Sequence, residues 1–246
     1  TQAGVATTLS PGFAQTVSLK GSKVWNNYGS VTFTPNAGTL SFFQIDDSTG
    51  DGTAVFNNKS GGLFDINASF TDTHITGVGT FNNYGELRKS LNTTVATTKI
   101  APAVVNQSGG AININSGTLQ FDKAAIDVGG NYTMANNATL AINASRTIVG
   151  NVGGSGNVAF STPLSAGPFD QIISGDYNIT GSTTANFSLV GTSNLTFNGT
   201  VSNVGSSLTY SGSSADTISF AGISSGEATG FANLTGISAT GGAMTF

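Results

Sequence analysis

The sequence predicts an all-β protein wound as a parallel β-helix, with an array of β-sandwiches as the alternative. Three observations predict it. The residues that build helix surfaces are scarce, since charged side chains make up only 8% of the chain. A block of one apolar residue, two asparagines and a glycine recurs along the first half. The paired asparagines fall at equivalent corners of that repeat, where stacked side-chain amides stabilise parallel strands.

The composition argues first against helix. Glutamate occurs only at Glu86 and Glu227, and lysine and arginine total 8. Thr, Val, Ile and Phe are plentiful, and these suit a pleated, half-buried surface. Hydrophobic residues make up 38% of the chain and include 16 Phe, so a core can form and disorder is not expected. The length of 246 residues fits one elongated repeat domain or two ordinary ones.

Charge and cysteine content exclude several function classes. The net charge is -4, and the densest basic stretch is Arg88-Lys89. Nucleic acid and anionic membranes need clustered cations, so neither is an expected partner. With no cysteine there is no disulfide framework and no thiolate metal site. No apolar run approaches the roughly 20 residues of a membrane-spanning helix. A Cys-free, Lys-poor chain rich in Thr, Asn and Gly fits a secreted or cell-surface protein. Beginning at Thr1, it reads as a mature secreted chain or an excised fragment.

The repeat reads Val24-Trp25-Asn26-Asn27-Tyr28-Gly29, then Val55-Phe56-Asn57-Asn58, then Thr80-Phe81-Asn82-Asn83-Tyr84-Gly85. A weaker copy begins at Val104-Val105-Asn106. The spacing is 31 residues from Trp25 to Phe56, 25 on to Phe81 and 24 on to Val105. Periods of this size indicate solenoids. In each copy an apolar residue points inward, two amides make a corner, and glycine permits a bend with positive φ. Short alternating strands accompany the block, as in Gly38-Thr39-Leu40-Ser41-Phe42 and Gly117-Thr118-Leu119-Gln120-Phe121. Hairpin signals are confined to Asp51-Gly52 and Asn198-Gly199, which favours the solenoid over the sandwich.

Three regions follow. Residues 1–23 lack the repeat and are expected to be a cap or an exchanged strand. Residues 24–221 form the rungs, with loop excursions at 90–102 and 150–170. Residues 222–246 are a C-terminal cap or docking segment, because a solenoid must cover both ends of its core.

The Phe-Asn-Asn blocks with interleaved Gly-Thr-Leu strands resemble the repeats of bacterial surface β-strand-repeat proteins. These include autotransporter passengers and filamentous-haemagglutinin-like adhesins. The resemblance is clearest over Val24–Phe121 and implies a right-handed parallel β-helix with a role in adhesion or cell-surface structure. It carries no functional residue across. The 246 residues carry neither the secretion-domain signature of two-partner adhesins nor a translocator-barrel pattern, two departures from the best-known members.

Candidate chemistry is sparse. His74, the single histidine, lies in an alternating stretch and is expected to be a surface or rung residue. Asp46, Asp47, Asp51, Asp65 and Asp72, with Arg88 and Lys89, are the material for a carboxylate pair of the glycosidase kind. The loop Asp46–Thr53 sets Asp47, Thr49 and Asp51 at alternate positions, as in part of a calcium loop, and calcium is the one cofactor considered. Asn58, Asn67, Asn92, Asn131 and Asn178 begin glycosylation sequons.

The function expected from all this is a non-enzymatic extracellular structural subunit or adhesin, a glycoprotein if sequons are used, whose main partner is its own copies. Phe13 and Val17 at one end, and Phe231 and Phe246 at the other, are the assembly residues. The alternative is a module that binds or cleaves surface glycans, with Tyr28 and Tyr84 at equivalent repeat positions as sugar contacts. A third reading is an ice-binding face. It rests on Thr32-Phe33-Thr34 and Thr71-Asp72-Thr73, which do not by themselves make a ladder.

Overall fold

The computed structural model describes residues 1–12, 15–35, 42–46, 53–90, 96–162, 168–187, 192–205, 207–211, 216–220, 237–240 and 243–245. Among these residues the chain is all β and the strand pairing is parallel throughout, as a β-solenoid requires and a sandwich of antiparallel sheets does not. Each turn gives one strand to a nine-stranded sheet and the next to a ten-stranded sheet. The third strand joins a four-stranded sheet in the early turns and a six-stranded sheet from Ala125–Ile126 onward.

Most of the short strands alternate. In Ser30–Phe33, Val55–Asn58 and Thr80–Asn83 every second side chain is buried. Period two is the pleat of a strand with one face on a core. Inward positions of successive turns stack, so Trp25 meets Phe56 edge-on at 5.2 Å between ring centroids, and Phe56 meets Phe81 at 4.8 Å. Each buried Phe contributes roughly 1.5–3 kcal/mol through burial alone. The weak copy of the block sits one residue from its predicted register. Phe81 pairs with Val104, which is buried, while Val105 is half-exposed. A slip of one residue exchanges the two faces of a strand, and the core selects the register that buries Val104 and Asn106.

The paired asparagines form two ladders. The inner one is buried: Asn27 Nδ2 donates to Asn58 Oδ1 (2.8 Å), Asn58 to Asn83 (2.9 Å) and Asn83 to Asn106 (2.9 Å). Their second amide hydrogens go to the carbonyls of Leu63, Glu86 and Ala111 on the following strand. The outer ladder runs the other way, with Asn57 donating to Asn26, Asn82 to Asn57 and Gln107 to Asn82. A buried amide left without partners is costly, so this arrangement fixes both the corner and the register between turns.

The glycine of the block has a different cause from the one expected. Positive φ falls on Gly61 and Gly109, which occupy the two-residue expansions of the corner. Gly62 and Gly85 are needed for close approach instead. A Cβ on Gly62 would lie 2.6 Å from Asn27 O, and one on Gly85 would collide with Gly62 O.

Several stretches without an obvious repeat nevertheless build turns. Ala6–Leu9 and Thr16–Leu19, within residues 1–23, pair with Ser30–Phe33 and Phe42–Ile45. Thr97–Ile100 is paired on both sides. Val152–Gly154, Asn157–Ser161 and Phe169–Ile173 all lie within the stack. Ile237–Thr240 and Ala243–Thr245 add the last strands of the ten- and six-stranded sheets.

The four-stranded sheet ends at Ala103–Asn106, and a buried polar cluster closes its edge. Arg146 Nη2 donates to Val104 O (2.8 Å), to Asp127 Oδ1 (2.7 Å) and to the Tyr132 hydroxyl (2.9 Å). Asp127 Oδ1 accepts from Asn106 N (2.9 Å), and its other oxygen accepts from the Tyr132 hydroxyl (2.5 Å). The guanidinium also lies over Phe121, 4.6 Å from the ring centroid. Side chains thus take the hydrogen bonds that a further paired strand would have made. Burial opposes the guanidinium charge, but the Tyr132 oxygen and the Asp127 carboxylate outweigh it and hold Arg146 charged. Burial also pushes the Tyr132 phenol up, so it remains a neutral donor.

Candidate functional site

The first turn holds the terminal strands of three sheets. Ala6–Leu9, Thr16–Leu19 and Val24–Asn27 are terminal strands of the nine-, ten- and four-stranded sheets. Each pairs on one side only among the described residues. Leu9, Val17, Leu19 and Trp25 pack against the core yet are only partly buried. Thr1 lies along Val24–Asn27, its amino group donating to Asn26 O (2.9 Å) and its carbonyl accepting from Tyr28 N (2.8 Å). Val24 is 56% exposed beside them. Proteins blunt open edges with lysine, proline or inward charge. None of these three strands holds a charged residue or proline. Lys20 and Lys23 stand in the turn beside them. Val17, expected as an assembly residue, is therefore on this face. Phe13, Phe231 and Phe246 lie outside the described residues, as do Asp47, Thr49 and Asp51 of the calcium loop and the sequon residue Asn92.

The tyrosines do not form a continuous row. Tyr28 follows Asn27, Lys59 follows Asn58 and Tyr84 follows Asn83, so Lys59 stands between the two rings in the stack. Its ammonium lies 5.0 Å from the Tyr84 ring centroid, a cation–π contact. Tyr28 is 48% exposed, whereas Tyr84 is half-buried in a shallow groove with Ser60, Glu86 and Asn113.

The carboxylates are dispersed or engaged. Arg88 binds Asp65 at 2.9 Å and approaches Glu86 at 3.9 Å, and Asn113 Nδ2 donates to Glu86 Oε1. Asp72 accepts from the Thr73 amide. Asp46 is buried at a positive φ of 60°, and its Oδ2 accepts from Ala54 N. Among the described residues, no three of His, Asp and Glu converge as a metal site would require.

The sequons divide by burial. Asn58 is fully buried, with its amide committed to both neighbours of the inner ladder, so the folded chain gives no access to it. Asn131 and Asn178 are exposed and Asn67 is half-exposed.

Two titratable groups, His74 and Lys89, are core residues. His74 is fully buried between the Phe33 and Phe70 rings, and its Nε2 bonds to Phe70 O at 3.0 Å. Desolvation lowers its pKa, and Lys89 adds to the effect. Lys89 is buried as well, with its ammonium 3.5 Å from Ala68 O, and burial lowers its pKa too. An amine whose folded pKa lies below its unfolded value destabilises the fold at and below that folded pKa. The penalty is relieved as pH rises toward the unfolded value near 10.4. Lys89→Met is therefore expected to raise the denaturant midpoint at pH 7. The advantage should shrink toward pH 10.5. Equal stability of the two proteins at pH 7 would contradict this.

Comparisons of the chain with protein-family models, with curated proteins and with solved structures find no match. What is established is a repetitive parallel β-solenoid.

Proposed function

We propose that the chain is a non-enzymatic segment of an extracellular fibre or surface adhesin, and that it extends by stacking end to end on other copies of itself. One observation carries this reading: among the described residues the three first-turn strands hold no charged side chain, each pairs with another strand on one side only, and Leu9, Val17, Leu19 and Trp25 are only partly buried. A head-to-tail contact of this kind does not close on itself and generates a filament. Low charge, the absence of cysteine and the resemblance of the Phe-Asn-Asn blocks to autotransporter passengers and filamentous adhesins support the same reading.

The test is sedimentation of the chain beside a Val17→Lys/Leu19→Lys variant. The unsubstituted chain should grow in size with concentration. The variant should sediment as a single rod with an unchanged β-sheet circular dichroism spectrum. Identical sedimentation of the two proteins would remove this end face from the mechanism.

A further inference from the structure

The strand Asp72–Thr76 breaks its register against Thr97–Ile100 at a single residue. Thr73 pairs with Lys99 and Ile75 with Ile100, so His74 is the extra residue of a β-bulge. Plain alternation would turn either His74 or Ile75 outward, yet both are fully buried. The bulge thus sets the chain's single histidine into the core. Its ring meets Phe70 edge-on at 4.8 Å and Phe33 at 6.5 Å between centroids.

That ring helps to hold down the segment 67–71, which joins Leu63–Ile66 to Asp72–Thr76. Asn67 N donates to Phe33 O at one end, and Thr97 N donates to Thr71 Oγ1 at the other. Between these anchors, Phe70 O accepts from His74 Nε2 (3.0 Å) and Ala68 O from the Lys89 ammonium (3.5 Å). A carbonyl only accepts, so Nε2 carries the ring proton and Nδ1 is bare. Nδ1 is buried with no hydrogen-bond partner among the described residues. A second ring proton would place an N–H and a charge where neither is compensated.

The surrounding charges do not relieve this. Lys89 acts against an imidazolium, and Asp72, which favours one, has its Oδ1 on the Thr73 amide. Lys99, on the paired strand, lies half-exposed on the outer side. Asp65 and Arg88 bind each other on the outer face of the nine-stranded sheet. Asp46, just past the strand paired on the other side, accepts from Ala54 N.

We propose that the segment 67–71 is an acid-released latch on the flank of the solenoid, shut while His74 is neutral and opened when the imidazole takes up a proton. Opening lets water reach His74 and Lys89 together. Burial, with Lys89 adding to it, holds the closed-state pKa of His74 below its ordinary value near 6.5. The open state therefore takes the proton first. Opening is favoured progressively as pH falls below about 6.5, and the effect levels off below the closed-state pKa. The latch is independent of end-to-end stacking, since it uses the side of the solenoid and not its end.

The experiment follows amide hydrogen exchange of the full chain from about pH 7.5 to about pH 4.5, with the imidazole proton resonance recorded beside it. One histidine gives one resonance. After correction for the intrinsic exchange rate, protection across residues 67–76 should fall about tenfold per pH unit below about 6.5, as uptake of one proton requires. Protection of Gly117–Phe121 and Ala138–Ile142 should hold, and the imidazole should titrate below 6.5. His74→Gln keeps a donor for Phe70 O but takes no proton, so its protection should not change over this range. The resonance and the exchange of the unsubstituted chain decide the matter even where that variant does not fold. The proposal is overturned by an imidazole that titrates at its ordinary pKa, or by protection of residues 67–76 that is constant with pH. A loss shared equally by all turns, or the same loss in His74→Gln, overturns it as well.

Discussion

Arg146→Ala is expected to destabilise the protein by about 3–5 kcal/mol, the range for breaking a buried ion pair by removing one partner. Arg146 and Asp127 are both essentially without solvent exposure, at 1% and 0% of their side chains. Removal of the guanidinium leaves the Asp127 carboxylate buried without its counter-ion and Val104 O without its donor. The measurement is a denaturant midpoint, read beside hydrogen exchange at the Asn106 amide, whose acceptor is Asp127 Oδ1. Protection there should fall with stability. A paired replacement, Arg146→Met with Asp127→Leu, separates two roles. If the cluster were only an ion pair, apolar replacement would restore stability. Because it also closes the edge of the four-stranded sheet, the double variant should recover only part of the loss. Full recovery would show that the edge of Ala103–Asn106 needs no side-chain cap.

Asn58→Asp is the second large effect. Asn58 accepts from Asn27 and donates to both Asn83 Oδ1 and Glu86 O. Asn58→Ala removes these bonds and should cost about 2–3 kcal/mol, as unsatisfied buried groups do. Asn58→Asp is expected to cost more at pH 7, since an ionised carboxylate would face two acceptors in the core. Burial and those acceptors raise the folded pKa of such a carboxyl above its unfolded value near 3.9. The protonated form is then the favoured one in the fold. The variant should regain stability as pH falls through that folded pKa, and the full penalty should be present above it. A variant whose deficit does not change between pH 7 and pH 4 would argue that the ladder tolerates the charge.

The fold was legible because its signals are local. Period-two alternation at Val55–Asn58 and Thr80–Asn83 states which side chains face the core, and the paired asparagines state where turns stack. The stretches at 90–102 and 150–170 were harder to read. Their strands, such as Thr97–Ile100 and Val152–Gly154, hold Thr and Gly at positions whose meaning depends on the turn beneath. The buried charges were not legible either. Lys89 and Arg146 share the inward face of their strands with Leu87 and Ile148, where an apolar residue is the ordinary occupant. Only the stack reveals that Ala68, Asp127 and Tyr132 wait there. Of the expected assembly residues, Val17 alone falls among the described residues, on a strand that pairs on one side only among them.

Electron microscopy of the purified chain over a range of concentrations tests end-to-end stacking most directly. The account predicts filaments one solenoid wide, with the strand repeat of about 4.7–4.9 Å running along the filament axis. They should disappear in the Val17→Lys/Leu19→Lys variant. Dispersed single rods at every concentration would contradict it, and so would filaments that persist when those two side chains are charged.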